Sequence, residues 1–298
     1  MKKLTELLRG ELEGEIRVDE PLAKHTTLKV GGPAALMVWP QSEADLAALV
    51  ALTAETQAPL LILGNGSNLL FGDQGFNGVV VKLSRLKDFV FEGETVTAGA
   101  GALLPALIRQ AAQNSLGGLE GLWGIPASVG GALKMNASAY GLEISEPLLE
   151  VRMMDRNGAI KIFPRKKLHF SYRSADIDNN KVILGGKFLL RNRAQNDILN
   201  DLDRVRGKRQ ETQPLDQPSA GSIFKNPEGQ YAGQLIESAG LKGFCLGGAS
   251  ISNKHANFIV TCGTARAADV VNLIDLIKER VQERCGVVLH EEVIRVGC

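Results

Sequence analysis

The sequence is short of cysteine, of aromatic residues and of net charge. Of its 298 residues four are cysteine and 5% are aromatic, while 34 basic and 33 acidic residues leave a net charge of +1. A balanced charge creates no general field that would draw the chain to nucleic acid or to an anionic membrane. Few aromatic residues, with no basic patch among them, also argue against base stacking. We therefore expect no nucleic-acid partner, and no obligate protein partner is evident.

Long apolar runs are lacking as well. Charged residues interrupt residues 1–16 before a secretory core could form, and no later run approaches the roughly 18 apolar residues of a bilayer-spanning helix. The cysteines at 245, 262, 285 and 298 form no CxxC pair, so free thiols in a reducing cytosol are the simplest interpretation. We expect a cytoplasmic protein with no metal site and no membrane association.

The length and the local patterns indicate more than one folded unit. Domains usually run to about 100 to 200 residues, so this chain is too long for one ordinary core. In the first half, Ser42 is the predicted N-cap of a helix that ends near Pro59, and residues 88–102 read as a β-hairpin around a Glu-Gly-Glu turn. A second hairpin is predicted around Asn157-Gly158.

The C-terminal third has a different pattern. A charged helix ending near Pro214 follows the strand-rich half, and we place the main boundary there. Beyond it, the sequence predicts a long helix from Thr264 to about Arg284 and a final strand over residues 286–296.

The segment GNGSNLL, residues 64–70, follows an apolar strand and invites comparison with phosphate-binding loops. It lacks the third glycine of the G-x-G-x-x-G fingerprint, because Leu69 stands at that position. What remains is a run of small residues whose amides could converge on an anion, with Ser67 and Asn68 adding side-chain donors. A tight loop without a ligand has the same composition, so this stretch alone leaves both interpretations open.

A second glycine-rich segment favours a ligand. GLEGLWGIPASVGGALKMNASAYG, residues 118–141, has six glycines and hardly a charge. A water-exposed loop of that length is normally polar, whereas small apolar groups let the backbone approach something large and flat. Two such segments beside strands predict a cofactor with a pyrophosphate and a planar ring.

At this point the order of motifs resembles that of a known family, the UDP-N-acetylenolpyruvoylglucosamine reductases, which are flavoenzymes of early peptidoglycan synthesis. The motifs are TTLKVGGPA, LGNGSNLL, GIPASVGGALKMNASAYG, YRS, AGSIFKNP, AGLKGFCLGGASIS with NKHANFIV, and GVVLHEEV. The resemblance runs from about Pro21 to Val296. Between Pro227 and Tyr231 there is no room for a substrate-covering insertion, so the chain resembles the shorter form that lacks the tyrosine loop.

The resemblance implies an α+β fold with a two-subdomain FAD-binding unit of the vanillyl-alcohol-oxidase (PCMH) type and a C-terminal α+β substrate domain. The boundaries are 1–84 and 85–195 for the two subdomains and 200–298 for the substrate domain. FAD would be bound non-covalently, with NADPH as reductant and a small-molecule UDP-sugar as substrate. The residues implied at the cofactor are Gly64, Asn65, Gly66, Ser67, Asn68 and Leu69 at the pyrophosphate, with Ile125, Pro126, Ser128, Val129, Gly130 and Gly131 along the rest.

In the family's reaction, NADPH reduces FAD, and hydride then passes to the enolpyruvyl group of UDP-N-acetylglucosamine enolpyruvate to give UDP-N-acetylmuramate. Negative charge develops beside the substrate carboxylate, so the site needs a cation and a proton donor. The resemblance implies that Ser222 donates the proton, that Arg173 holds the carboxylate by paired hydrogen bonds, and that Glu292 completes the triad. It also implies four substrate-binding residues: Tyr172, Lys225, Asn226 and His255.

Each of these residues has a purely structural interpretation. Serine is common in turns such as the one around Ser222, and a strand-edge glutamate such as Glu292 can simply discourage sheet pairing. Glu291 is adjacent to Glu292, and strand alternation lets only one of them face inward. His255 fits a surface turn equally well.

The chain departs from the family pattern at two positions, and two other functions are alternatives. Ala175 stands where many relatives have a second serine, and Arg295 is displaced by one residue, so a partner role for it is not expected. An oxygen-using flavin oxidoreductase would keep the glycine segments, but its reaction would not explain the AGSIFKNP motif. A non-catalytic binder of UDP-sugar or flavin would have no use for Arg173, Ser222 and Glu292 together.

Overall fold

The computed structural model describes all 298 residues and divides the chain into two compact units. Their residue ranges are 1–18, 35–65 and 77–207 for unit 1, and 19–34, 66–76 and 208–298 for unit 2. One of the passages between units falls inside the glycine loop, after Asn65. The three-part division implied by the family resemblance stays a prediction.

Seven α-helices are formed, none of them both long enough and apolar enough to cross a membrane. They are α1 Lys2–Glu11, α2 Glu43–Glu55, α3 Leu104–Gln113, α4 Val129–Lys134, α5 Gln195–Thr212, α6 Ala232–Ser238 and α7 Ala267–Cys285. Ser42 caps α2 as predicted, because its side chain accepts the backbone N–H of Asp45 at 3.1 Å. Helix α4 lies inside the segment interpreted as a loop, and that interpretation was wrong for these six residues.

The strands are mostly short. In chain order they are β1 Glu15–Pro21, β2 Pro33–Trp39, β3 Leu60–Leu63, β4 Leu69–Phe71, β5 Phe76–Lys82, β6 Phe89–Glu92, β7 Thr95–Gly99, β8 Leu116–Gly117, β9 Ser138–Ala139, β10 Leu142–Glu143, β11 Leu148–Met154, β12 Ile160–Pro164, β13 Phe170–Ser171, β14 Ser174–Ala175, β15 Val182–Leu189, β16 Arg191–Asn192, β17 Ser219–Ser222, β18 Cys245–Leu246, β19 Ala249–Ile251, β20 Phe258–Thr261 and β21 Ile294–Val296.

Unit 1 carries most of one sheet, ordered β1-β2-β5-β3, and all of a second, ordered β12-β11-β15-β7-β6. The second sheet contains both predicted hairpins, β6–β7 and β11–β12, each antiparallel. The β11–β12 loop, residues 155–159, is longer than a two-residue turn. Within it, Asp155 Oδ1 accepts the N–H groups of Asn157 and Ala159, each at 3.0 Å. Buried aliphatic residues from these sheets and from α2 and α3 form one continuous core.

Unit 2 is built on an antiparallel sheet ordered β17-β20-β19-β18, with α7 packed on it. The buried residues of α7 recur at helical spacing, at Val270, Leu273, Ile274, Ile277 and Val281, so one face of the helix enters the core. Strand β4 pairs in parallel with β21. All four cysteines, which lie in this unit, are free thiols.

The predicted final strand is only partly correct. Regular pairing begins at Ile294, in β21, and upstream of it Glu291 forms a single isolated bridge with Phe224. The backbone just before β21 therefore pairs with the AGSIFKNP segment, which sequence alternation could not reveal.

Candidate active site

The start of the glycine loop lies against the second glycine-rich segment within unit 1. Asn65 Nδ2 donates to the carbonyl oxygen of Pro126 at 2.7 Å. A Cβ atom on Gly64 would lie 2.6 Å from Ser128 Oγ and 3.7 Å from Gly131 Cα. Five of the residues predicted at the cofactor are therefore brought together, and a side chain at position 64 would collide with the Ser128 hydroxyl.

The N-terminus of α4 is closed by the protein itself. The N–H groups of Val129 and Gly130 donate to the carbonyl oxygens of Ala102 and Ala100, at 2.8 and 2.9 Å. The N–H of Gly131 donates to the N-cap hydroxyl at 3.2 Å. These amides cannot serve a phosphate as well. Val129 is fully buried in the core, whereas Gly130 and Gly131 are half-buried. Ile125, just upstream, is half-buried against the core of unit 1.

The glycine loop keeps its own amides available. No N–H group from Gly64 to Asn68 donates a hydrogen bond to another part of the protein. Gly66 has φ +67°, and a Cβ atom there would lie 2.2 Å from the carbonyl oxygen of His25, so the backbone requires glycine. A short run of small residues with unengaged amides is the donor set that fits a pyrophosphate, so these residues fit FAD.

The end of the loop joins the C-terminal segment within unit 2. Asn68 Nδ2 donates to the carbonyl oxygen of Glu292 at 3.0 Å, and the Ile294 N–H donates to the Asn68 carbonyl oxygen at 3.0 Å. Leu69 then starts β4, where it lies opposite Ile294. The predicted residues Asn68, Leu69 and Glu292 are therefore neighbours.

Arg173 lies at the tip of a tight hairpin in unit 1. Ser171 and Ser174 pair directly, which leaves Tyr172 and Arg173 as the turn. Arg173 has φ +56°, an uncommon conformation for a residue with a side chain. Its Nη1 donates to the carbonyl oxygen of Ser138 at 3.0 Å, and its guanidinium lies 5.7 Å from the centre of the exposed Tyr172 ring. The uncommon backbone conformation and the side-chain hydrogen bond together fix the position of this cation on the hairpin.

A buried asparagine supports the same hairpin. Asn136 Nδ2 donates to the carbonyl oxygen of Ser171 at 3.0 Å and to Glu143 Oε2 at 2.7 Å. Asn136 is fully buried and has φ +43°. It ties the second glycine-rich segment to the strand that precedes Arg173.

Ser222 lies at a bulge in unit 2 and is more than a turn residue. Ser219 pairs with Val260 and Ser222 with Phe258, so three steps along β17 match two steps along β20. Gly221, with φ +72°, absorbs the extra residue. Such a bulge turns the following side chain away from regular alternation and is common next to active sites. The Ser222 residue is half-buried.

The residues after Ser222 pair with the C-terminal segment. The N–H of Glu292 donates to the Ile223 carbonyl oxygen at 2.8 Å, and the N–H of Lys225 donates to the His290 carbonyl oxygen at 2.8 Å. Two motifs about 70 residues apart therefore supply two adjacent lengths of backbone. These carry the predicted residues Ser222, Lys225 and Glu292.

Glu291 and Glu292 have different surroundings. Glu291 binds Lys278 Nζ at 2.6 Å and Arg295 Nε at 2.7 Å, while Arg295 Nη2 also binds Asp275 at 2.6 Å. Burial alone would raise the pKa of the Glu291 carboxyl, but hydrogen bonds from Arg295 and Lys278 hold that pKa below its usual value. Glu291 is committed to this cluster, and Arg295 belongs to it too.

The remaining predicted residues have specific local contacts. Asn226 Oδ1 accepts the N–H of Ala232, the first residue of α6, at 3.0 Å, which orients the side chain and leaves its amide nitrogen available to a ligand. His255 Nδ1 accepts the N–H of Asn257 at 3.2 Å, and its ring lies 4.8 Å from that of Phe258. Burial holds the pKa of the His255 imidazole below its usual value. His255 is therefore neutral near pH 7, with its proton on Nε2.

Sequence reasoning missed two buried asparagines, Asn136 and Asn257. Both are almost completely buried, and both hold backbone of a segment that carries a predicted catalytic residue. The signal was a lone asparagine inside an otherwise apolar motif, because a buried amide has to be hydrogen-bonded.

The predicted catalytic and substrate-binding residues are divided between the two units. Tyr172 and Arg173 belong to unit 1, and Ser222, Lys225, Asn226, His255 and Glu292 to unit 2.

Two family models match the chain. The model described as "UDP-N-acetylenolpyruvoylglucosamine reductase, C-terminal domain" covers residues 213–296, and the model described as "FAD binding domain" covers residues 34–163. The reductase from Caldanaerobacter subterraneus subsp. tengcongensis is 42% identical over 296 residues, which cover 99% of this chain and 97% of that protein. The reductase from Clostridium botulinum (strain Hall) is 42% identical over 283 residues, which cover 95% and 92%.

Solved structures give the same result. The crystal structure of UDP-N-acetylenolpyruvylglucosamine reductase (MurB) from Thermus caldophilus matches with a TM-score of 0.82 and 38% identity, over 95% of this chain and 99% of that one. BBE-like 1 from Physcomitrella patens matches with a TM-score of 0.51 and 18% identity, over 63% of this chain and 44% of that one. The second match shows a shared fold for that part of the chain.

Proposed function

The chain belongs to the family of UDP-N-acetylenolpyruvoylglucosamine reductases, and from this premise we propose what individual residues do in its reaction. The protein is an FAD-dependent oxidoreductase that reduces UDP-N-acetylglucosamine enolpyruvate in peptidoglycan synthesis, with NADPH as the reductant. Its fold is α+β, with an FAD-binding unit of the PCMH type and a C-terminal reductase domain. Bound FAD supplies the hydride that adds to the substrate double bond.

The glycine loop holds the pyrophosphate of FAD through the backbone N–H groups of residues 64–69. Two observations support this: the amides from Gly64 to Asn68 are unengaged, and those of Val129 to Gly131 are not. Ile125, Pro126 and the small residues of α4 line the flavin side of the cofactor. We place the two FAD-binding subdomains at 1–84 and 85–195 and the substrate domain at 200–298.

Ser222 donates the proton. Hydride addition to the terminal vinyl carbon leaves negative charge on the neighbouring carbon beside the carboxylate. A serine hydroxyl is a weak acid in water, but a transient carbanion is a much stronger base, so the transfer is favourable. The observation that carries this assignment is the position of Ser222 at a bulge, with the next residue hydrogen-bonded to the backbone of Glu292.

Arg173 binds the substrate carboxylate with paired donors and stabilises the charge that develops there. The hairpin backbone and the hydrogen bond to Ser138, which fix the side chain in place, support this role. Glu292 assists charge and proton placement, and the commitment of Glu291 to Lys278 and Arg295 supports choosing Glu292. The substrate-binding groups are Tyr172, Lys225, the amide nitrogen of Asn226 and Nε2 of His255.

We also propose that the protein works in the cytoplasm on its small-molecule substrate, without an obligate protein, nucleic-acid or membrane partner. Four free thiols and the use of NADPH support a reducing compartment.

Anaerobic titration of the flavin band tests the assignment. We expect NADPH to bleach the band and UDP-N-acetylglucosamine enolpyruvate to restore it. Lactate and glycolate, which could only donate hydride, should not bleach the oxidised band. A band that lactate or glycolate bleaches, and that only oxygen admitted afterwards restores, with no response to the UDP-sugar, would contradict the proposal.

A further inference from the structure

The backbone after Ser222 is held by one buried side chain. Asn257 Oδ1 accepts the N–H of Phe224 at 2.9 Å, and Asn257 Nδ2 donates to the Phe224 carbonyl oxygen at 2.8 Å. The carbonyl oxygen of Asn257 accepts the N–H of Ile223 at 2.8 Å. Asn257 is 3% exposed, so water cannot take over these bonds.

These contacts replace a strand partner. Pairing between β17 and β20 ends at Ser222 and Phe258, directly after the bulge at Gly221. A bulge loosens the ladder, and the Ile223 N–H still reaches the main-chain carbonyl oxygen of Asn257, but Phe224 would have no partner on that side without the Asn257 side chain. The side chain thus extends the ladder by one residue beyond the last backbone partner.

The opposite side of the same residues faces the C-terminal segment. The N–H groups of Glu292 and Val293 both donate to the Ile223 carbonyl oxygen, at 2.8 and 3.3 Å. Ile223 and Phe224 are therefore held from two sides, by Asn257 and by the segment that carries Glu292. Any shift of Ile223 would change the distance between Ser222 and Glu292.

We infer that Asn257 is a positioning residue for proton transfer, whose side chain holds Ser222 in register with Glu292 by clamping Phe224, the neighbour of Ile223. This inference rests on the proposed role of Ser222. It differs from a general structural role because its effect is confined to the step in which the substrate is protonated.

The test uses the FAD-loaded enzyme with anaerobic stopped-flow measurement of both half-reactions. Asn257→Ala is expected to slow flavin reoxidation by the UDP-sugar about 10- to 100-fold, because a displacement near 1 Å can cost that much. Flavin reduction by NADPH is expected to stay within about twofold of wild type, because the substitution moves no group that takes part in hydride transfer from NADPH.

The matched control is Thr261→Val. It removes another buried side-chain bond of β20, in which Thr261 Oγ1 donates to the Leu28 carbonyl oxygen at 2.6 Å. Both of its half-reactions should stay within about twofold of wild type, since it does not touch the clamp.

Coupling to Ser222 separates positioning from general damage. If Asn257 acts through Ser222, Asn257→Ala should slow reoxidation by less than about threefold in a Ser222→Ala background, because coupled residues are non-additive. The same factor in both backgrounds, or equal slowing of both half-reactions, would overturn the inference. Normal reoxidation by Ser222→Ala alone would instead refute the proposed donor. Should Asn257→Ala not fold, Asn257→Ser keeps a small polar group at the site and is judged by the same criteria.

Discussion

Adding one methyl group at Gly64 probes the fit between the glycine loop and α4. Gly64 does not have a positive φ, so alanine is allowed by the backbone and only the neighbours oppose it. The new Cβ would lie 2.6 Å from Ser128 Oγ, whereas ordinary contact begins at 3.4 Å. One of the two groups must therefore move by 0.8 Å, which is 3.4 minus 2.6.

Either movement has a cost that can be estimated. Rotation of the Ser128 hydroxyl would break the N-cap of α4, which costs about 1 to 2 kcal/mol. Movement of the loop would displace its amides from the pyrophosphate by a similar distance. If FAD binding requires the wild-type positions of the loop and of Ser128, that cost is incurred on binding, and about 1 to 2 kcal/mol corresponds to roughly 5- to 30-fold weaker FAD binding.

Fluorescence titration of the apoprotein with FAD measures the effect of Gly64→Ala. Gly207→Ala is the matched control, because a Cβ atom at Gly207, inside α5, meets nothing within 4 Å. Ser128→Ala removes the colliding oxygen, so the cost of Gly64→Ala should shrink in that background. Wild-type affinity of Gly64→Ala for FAD, or the same loss of affinity with and without the Ser128 hydroxyl, would show that a collision with Ser128 Oγ does not limit FAD binding.

Three further predictions concern other parts of the two units. Arg173→Lys keeps the charge but loses the paired donors, so flavin reoxidation by the UDP-sugar should slow about 100-fold in stopped flow; an unchanged rate would contradict the carboxylate role. Glu291→Gln removes a carboxylate whose pKa is depressed by Arg295 and Lys278, so wild type should be the more stable protein above about pH 4.5, and the difference should vanish as the pH falls further; urea unfolding at pH 7 and pH 3.5 with equal differences would contradict this. Asn136→Ala removes two hydrogen bonds of a buried amide and should lower the free energy of unfolding by about 2 kcal/mol; a thermal melting curve like that of wild type would count against it.

Local signals in the sequence predicted local structure well. The Ser42 cap, the β6–β7 hairpin and the hairpin around Asn157 depend on neighbouring residues, and all three are present. The predicted last strand failed over residues 286–293, and the end of that stretch, from His290 to Val293, bonds to residues about 70 positions earlier. A hydrophobic pattern carries no information about such a partner.

The candidate site shows the same division. Motif order placed Ser222 and Glu292 among the candidates, but not the bulge at Gly221 or the clamp by Asn257. Both depend on how β17 and β20 pair, with three steps along one matching two along the other, which is decided by packing in the folded unit. The choice between Glu291 and Glu292 likewise required the positions of Lys278 and Arg295. Sequence alternation had indicated only that one of the two glutamates would face inward.

The central claim is that Ser222 gives the proton that completes reduction of the substrate. The most direct measurement is anaerobic stopped flow of Ser222→Ala, first with NADPH and then, from the reduced state, with UDP-N-acetylglucosamine enolpyruvate. If Ser222 is the donor, flavin reduction should stay within about twofold of wild type, and reoxidation should slow by about 10²- to 10⁴-fold. Equal slowing of the two half-reactions, or reoxidation at the wild-type rate, would contradict it.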